Sequence, residues 1–144
     1  MKTVSLLVAL AALAACRQQT AEAPAPEPEA PAVAVSDFSQ PMTARGTEPF
    51  WAVRVEGTTL TLLRPDAPEL AFQAPGMAAR PGEAVWEAKA ADGQTLKLTI
   101  RVSECSDGMS DLRYPMAAEA EVAGQLLMGC AAKTSELPRE GEGT

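Results

Sequence analysis

Apolar and polar side chains alternate over much of the chain between residues 50 and 131, which is the pattern of β-strands that bury one face. The clearest case is residues 95–102, where every second residue is apolar and the residues between them are polar or charged. The side chains predicted to point inward are Leu96, Leu98, Ile100 and Val102. Asp92-Gly93 lies just before this stretch and predicts a turn that joins it to an earlier strand.

Six further stretches carry strand patterns, several of them bounded by Gly, Pro or Asp and joined by short turns. They are residues 50–55, 59–63, 69–73, 85–90, 117–123 and 125–131. Pro75 and Pro81 predict an edge strand or a loop in the region that follows residue 73. The pattern as a whole predicts an all-β fold, a small antiparallel barrel or sandwich of about six to seven strands. Residues 117–122 are Ala-rich and are also compatible with a helix.

Composition divides the chain into four segments. Residues 1–15 carry Lys2 and then a short apolar run, which is typical of a signal peptide, whereas a retained transmembrane helix would need roughly 20 apolar residues. Residues 16–41 are rich in Pro, Ala and Glu and are predicted to be a disordered linker, either a spacer or plain low-complexity sequence. Residues 42–137 are predicted to form the β domain, and residues 138–144 are predicted to be a disordered tail.

The sequence Leu13-Ala14-Ala15-Cys16 resembles a bacterial lipobox. The resemblance implies that the chain is cut before Cys16, that lipid such as palmitate is attached there, and that the mature protein is anchored to a membrane. Acyl chains contribute about 0.8 kcal/mol per buried CH₂, so several chains hold a protein without a spanning segment. In Gram-negative lipoproteins an Asp after the cysteine favours the inner membrane, so Arg17 points to the outer membrane, with the domain facing the periplasm.

Three cysteines in an exported protein leave one unpaired, and lipid on Cys16 would remove that oddity. Cys105 and Cys130 then form an even pair, which an oxidising compartment would join in a disulfide. Closing this loop is worth about 3 kcal/mol in the chain-entropy model. The alternative is a two-thiolate metal site, but the chain has no His, so no metal and no cofactor is predicted.

Two motifs stand out in the β domain. They are Gly46-Thr47-Glu48-Pro49-Phe50-Trp51 and a late segment from Cys105 to Pro115 that reads Cys-Ser-Asp-Gly-Met-Ser-Asp-Leu-Arg-Tyr-Pro, with Cys130 beyond it. Together they resemble a family of small, uncharacterised bacterial envelope lipoproteins with G-[TN]-E-P-F-W and C-x-D-G-M-S-D-x-x-Y-P motifs. The resemblance implies an envelope location and a β fold, but no reaction.

The late motif has two interpretations. In the structural one, Asp107-Gly108 forms a turn and Ser110 or Asp111 caps a short helical turn. In the functional one, the segment is a ligand-binding loop that Cys105 pins to the scaffold. Its candidate binding residues are Asp107, Ser110, Asp111, Arg113 and Tyr114. The order of its acidic residues does not match a calcium-binding EF-hand loop.

Phe50 and Trp51 are predicted to serve as core residues, with a stacking platform for a ligand as the alternative. The absence of His from the sequence excludes Ser-His-Asp and Cys-His catalysis, so the protein is not expected to be an enzyme. A carboxylate pair formed by Asp107 and Asp111, or a Ser-Lys dyad with Lys133, is of the kind that small acidic proteins offer by chance.

The chain is acidic, with a net charge of −7. This charge opposes nucleic-acid binding and favours a cationic protein or a cell-envelope ligand as the partner. A more specific alternative is inhibition of c-type lysozyme. Membrane-bound inhibitors of that enzyme use an S-G-x-x-Y loop, and residues 110–114 resemble it in the spacing of Ser110 and Tyr114, with Asp111 in place of Gly. Their second motif, Y-x-x-x-T-K-G, has no match in the chain.

Overall fold

The structure, a computed structural model, describes residues 38–139 as a single antiparallel sheet. Its strands are β1 (Met42–Thr47), β2 (Phe50–Glu56), β3 (Thr59–Arg64), β4 (Ala67–Gln73), β5 (Met77–Arg80), β6 (Glu83–Ala90), β7 (Thr95–Ser106), β8 (Arg113–Val122) and β9 (Gln125–Lys133), followed by a 3₁₀ turn at Thr134–Glu136. The predicted signal peptide, Cys16, nearly all of the predicted linker and residues 140–144 lie outside the described residues.

The sheet closes into a barrel of eight strands. Its strand order is β4-β3-β2-β1-β9-β8-β7-β6-β5, and a further pairing of β4 with β6, at Phe72 opposite Ala90, joins the two sides. Strand β5 lies outside this closed set and pairs with the first half of β6. The all-β prediction is confirmed, and the architecture is a barrel with slightly more strands than expected.

The two additional strands have weak sequence patterns. Strand β1 reads Met-Thr-Ala-Arg-Gly-Thr, and its inward positions include the small residues Ala44 and Gly46, so its alternation is faint. Strand β5 is four residues long and lies between Pro75 and Pro81. Its position at the end of the strand order agrees with the confinement of proline to edges and strand ends.

The barrel interior is filled with apolar side chains, as expected for eight strands. In β6 and β8 almost every second residue is buried, so each strand turns one face inward. Phe38, four residues before the predicted start of the domain, is buried in the same core. The largest fully buried side chains in this core are Trp86, Phe72, Met42, Leu60, Leu96, Leu98, Ile100, Leu127 and Val53.

Strands β7 and β8 correct two expectations. Val102 was predicted to point inward but is 40% exposed. The pairing of β6 with β7 ends at Arg101, so Val102 lies past the rim of that pair, next to a shift in the β7–β8 register. The helical alternative for residues 117–122 is wrong, because these residues lie in β8 and pair on both sides. Burial of one face of an Ala-rich strand thus overrides helix propensity.

The predicted disulfide between Cys105 and Cys130 is present, with the two Cα atoms 5.6 Å apart. It joins the end of β7 to β9. Cys130 and Ala132 flank Ala131, which belongs to the barrel core, so these two side chains lie on the opposite face of β9. They form with Tyr114 a second buried group, the outer cluster, against which the partly buried Cys105, Leu112 and Leu137 pack.

Candidate functional site

The first motif is built around the indole of Trp51. Trp51 lies opposite Gly46 in the β1–β2 pair, is 3% exposed, and donates its indole N–H to the carbonyl oxygen of Met128 at 3.3 Å. A Cβ atom on Gly46 would lie 2.3 Å from Nε1 of this indole and 2.4 Å from the Met128 carbonyl oxygen. Glycine is therefore required there, because the indole crosses β1 to reach β9.

Gly129 supplies the same clearance from the other strand. A Cβ atom on this residue would lie 2.2 Å from the carbonyl oxygen of Arg45 and 2.9 Å from a ring carbon of Trp51. The glycine of the first motif and the glycine before Cys130 thus serve one purpose, which is to let β1, β9 and the Trp51 ring approach closely. The core prediction holds for Trp51 but is wrong for Phe50, which is 58% exposed because neighbouring residues of a strand point to opposite faces.

The second motif forms the loop between β7 and β8, and Asp107 organises it. The Asp107 carboxylate accepts hydrogen bonds from the backbone N–H of Met109 at 3.0 Å and of Ser110 at 2.8 Å. It also accepts a hydrogen bond from the Ser110 hydroxyl at 2.8 Å. No helical turn forms in this loop, so the expectation that Ser110 or Asp111 caps one is wrong, and Asp107 instead holds a chain of bends.

These bonds act on the ionisation of Asp107. The backbone N–H groups of Ser110 and Met109, followed by the Ser110 hydroxyl and the positive charge of Arg45, lower the pKa of this carboxyl below its usual value. The carboxylate is therefore charged at neutral pH, and its oxygens are occupied by the loop's own donors. This arrangement fits a structural role better than that of a proton-transferring group.

Tyr114 lies beneath the loop rather than on it. Its side chain is 1% exposed, and its hydroxyl oxygen accepts hydrogen bonds from Nε of Arg45 at 2.8 Å and from an Nη of the same residue. The guanidinium carbon lies 5.1 Å from the ring centroid. An inhibitory loop of the lysozyme type needs this tyrosine at the surface, so its burial gives that hypothesis no support.

The two motifs meet at one end of the barrel. The Thr47 hydroxyl donates to the carbonyl oxygen of Asp107 at 3.2 Å, although the two residues are 60 positions apart in the sequence. Beside this contact lies an open cleft of about 440 Å³, here called the motif cleft. It is lined by Arg45, Gly46, Thr47, Phe50, Trp51, Ala52, Leu63, Arg64, Pro65 and Asp107.

Large apolar side chains stand exposed next to the motif cleft. Phe50, which lines the cleft, and Met109 both line a neighbouring depression. Met109 is 63% exposed, and Met128, which borders a further depression together with Met109, is 57% exposed. A phenyl ring and two flexible thioethers at one end of a small domain are typical of a binding surface rather than of a surface with only structural duties.

The five predicted loop residues have different positions. Asp107 lines the motif cleft, and Ser110 supports it through its hydrogen bonds with the Asp107 carboxylate. Arg113 is exposed and lies 3.8 Å from a Glu104 carboxylate oxygen, while Asp111 is also exposed, and neither lines the cleft. The structure therefore brings together part of the predicted set.

Sequence reasoning missed two charged residues of the cleft, namely Arg45 and Arg64. Arg45 directly precedes the first motif, and that adjacency is a signal that could have included it. Arg64 ends β3 beside the Pro65-Asp66 turn, more than a dozen residues beyond the first motif, and nothing in its local sequence distinguishes it from other strand-end arginines.

Within residues 38–139 no three His, Cys, Asp or Glu side chains converge as a metal site would require. The same part of the chain contains no helix with the length and apolar character needed to cross a membrane. Comparison of the sequence with family models and curated proteins, and of the chain with solved structures, finds no match.

Proposed function

We propose that the protein is a non-catalytic binding module of the bacterial cell envelope, anchored by lipid on Cys16 to the outer membrane, with its domain in the periplasm. The observation that carries the binding part is the motif cleft. Two motifs that are separated by more than 50 residues in the sequence converge there, and they leave Phe50 and Met109 exposed around a concavity. Concave, largely apolar surfaces with a few polar groups are the usual form of ligand sites.

The direction of β1 supports this arrangement. The described chain starts at Phe38, and Pro41 accepts a backbone hydrogen bond from Thr134 just before β1 begins. Strand β1 then runs from Met42 to Thr47, which lines the cleft, over a distance of roughly 17 Å. A tether entering at Phe38 would therefore attach away from the cleft, leaving the cleft free to meet a ligand.

The anchor is tested in cells with labelled palmitate. The wild-type protein should incorporate the label, and Cys16→Ser should abolish incorporation and leave an uncleaved precursor. Label that persists in the variant would contradict the anchor without bearing on the cleft.

The binding part is tested with the mature chain, residues 16–144 with Cys16→Ser, immobilised and exposed to fractionated envelope extract. Mass spectrometry should identify compounds retained by this protein and lost by Phe50→Ser combined with Met109→Ser. Leu126→Ser is the matched control, because Leu126 is 61% exposed and lines neither the cleft nor the neighbouring depression that Phe50 and Met109 share. Equal loss in the control, or equal retention by all variants, would remove the cleft as the binding site.

A further inference from the structure

Arg64 differs from several other arginines of the domain because the structure shows no ion-pair partner for it among the described residues. Arg54, Arg80 and Arg101 each contact a glutamate carboxylate. Among residues 38–139, by contrast, no carboxylate pairs with Arg64, and its Nε atom is buried without a hydrogen-bond acceptor. Most buried donors in folded proteins have a partner, and an unsatisfied one is costly. Because Arg64 lines the motif cleft, a bound ligand is a ready source of an acceptor for its guanidinium.

A second positive charge faces the same cleft. The Arg45 guanidinium is held by the hydroxyl of Tyr114, which positions it but carries no charge to neutralise it. The one carboxylate lining the cleft belongs to Asp107, and its oxygens accept three hydrogen bonds from Met109 and Ser110. The cleft thus has an excess of one positive charge in a chain whose net charge is −7.

The remaining wall is apolar. Phe50, Leu63 and Pro65 line the cleft together with the Trp51 ring, and its volume of about 440 Å³ lies in the range of small-molecule sites. A compact inorganic anion would satisfy the arginines but leave this wall uncovered. A neutral apolar compound would cover the wall but bring no negative charge to the two arginines.

We propose that the motif cleft binds a small amphipathic anion, in which a carboxylate or phosphate headgroup accepts hydrogen bonds from Arg64 and an apolar body covers Phe50 and Leu63. This inference rests on the proposed function, in that it names the ligand class for the same cleft. It differs from the expectation of a cationic partner, which follows from the charge of the whole chain. The positive charge of the cleft matters more to a ligand bound there than the net charge of the chain, because exposed charges farther than about 8–10 Å away are largely screened at physiological salt.

The test is an NMR titration of residues 16–144 with Cys16→Ser, which leaves every described residue in place. Octanoate and octyl phosphate provide the two headgroups, octyltrimethylammonium the opposite charge, octyl glucoside a neutral head, and acetate the anion without its tail. We expect both octyl anions to shift the signals of Arg64, Phe50 and Leu63, with the tighter of the two identifying the headgroup. Acetate and the cationic and neutral amphiphiles should bind at least tenfold more weakly.

Variants connect the affinity to the proposed contacts. Arg64→Gln should weaken binding of the preferred anion by about 10- to 100-fold, the usual range for a hydrogen bond to a charged group. Arg54→Gln is the matched control on the neighbouring strand and should leave affinity unchanged, as its side chain pairs with Glu69. Should Arg64→Gln fold poorly, Arg64→Lys keeps the charge and tests the planar donor alone, with an expected loss of affinity of at least severalfold.

Three results would contradict the anion inference. Equal or tighter binding of the cation or the neutral amphiphile at the same residues would overturn the anion inference while leaving the cleft a binding site. An Arg64→Gln protein with unchanged affinity would also overturn it. If no probe shifts the cleft residues, the inference fails, whereas the proposed function is decided by the retention experiment with envelope extract.

Discussion

The barrel interior and the outer cluster are both buried, but different interactions hold them. The interior joins 23 buried apolar residues of the described chain into one core. The outer cluster has three, Tyr114, Cys130 and Ala132, and adds a disulfide and the Arg45–Tyr114 hydrogen bonds. Apolar burial contributes about 25 cal/mol per Å², so a group of three residues gains little from it. Burial therefore determines the barrel, whereas specific contacts determine the geometry of the motif end, the end of the barrel where the two motifs meet.

The contacts of the outer cluster also hold residues of the motif cleft in place. Arg45 is held by Tyr114, and Tyr114 in turn packs in the cluster that contains Cys130. The loop that carries Asp107 begins just after Cys105, the other half of the disulfide. Changes in the interior should therefore unfold the whole domain, and changes in the outer cluster should alter the cleft more than the barrel.

The largest effect is expected from Trp86→Ala in the interior. Trp86 is 1% exposed and among the largest fully buried side chains, so its truncation should lower the free energy of unfolding by about 3–5 kcal/mol. Chemical denaturation followed by far-UV circular dichroism measures this loss. A change below about 1 kcal/mol would contradict the assignment of the interior as the source of stability.

Loss of the disulfide should come next. The bridge joins residues separated by 25 positions, and replacing both Cys105 and Cys130 by Ala should cost about 3 kcal/mol in the chain-entropy model. The barrel should still form, because its core contains neither cysteine. Denaturation gives the stability, and NMR shows whether the β7–β8 loop broadens while β6 keeps its signals. Uniform broadening of all strands would show that the outer cluster is not separable from the barrel.

A smaller loss is expected from Gly129→Ala. The added Cβ would meet the backbone of Arg45 at 2.2 Å, so β1 and β9 must separate, and overpacking of this kind costs about 1–3 kcal/mol. Gly76→Ala is the control, since its Cβ would have no heavy atom within 4 Å. Tryptophan fluorescence should report displacement of Trp51 in Gly129→Ala alone. Equal stabilities of the two variants would contradict the close approach of β1 and β9.

The sequence pattern predicted most of the barrel because its strands alternate strongly. Strand β6, with Trp86, and most of β7 carry apolar residues at every second position, and a period of two is the direct mark of a half-buried strand. Strand β1 was not predicted, because one of its inward positions is Gly46, which gives the Trp51 ring room rather than burying an apolar side chain. Such a position becomes intelligible only when the Trp51 ring is seen crossing it.

The candidate site was predicted less completely. The motif residues Asp107 and Ser110 were found because their types are those of functional loops, but that same pattern also grouped Tyr114 with them. Tyr114 is buried with Cys130 and Ala132, and its hydroxyl contacts Arg45, which lies 69 positions away. Likewise, the importance of Arg64 rests on what surrounds it in three dimensions. Long-range juxtapositions of this kind leave no trace in the local spacing of residues.

The smallest predicted effect concerns the pH dependence of the loop. The folded-state pKa of Asp107 is lowered, so its contribution to stability is present above the pKa of the unfolded chain and is lost as the pH falls through the folded value. Below that pH the carboxyl is neutral, and its bonds to the N–H groups of Met109 and Ser110 weaken. The loop should therefore loosen only under acid conditions, while the barrel interior, which lacks Asp107, stays ordered.

An NMR pH titration measures this, with the amide signals of Met109 and Ser110 expected to shift together at a pH below the usual carboxyl pKa of about 3.9. Asp107→Asn should abolish that shift. Asp92→Asn serves as the matched control, because Asp92 also has a lowered pKa, caused by the backbone and side chain of Gln94 in the β6–β7 turn. The Asp92 variant should leave the Met109 and Ser110 titration unchanged. If the two amides titrate as before in Asp107→Asn, the Asp107 carboxylate does not organise the loop, and the contrast between a burial-held barrel and a contact-held motif end loses its support at this position.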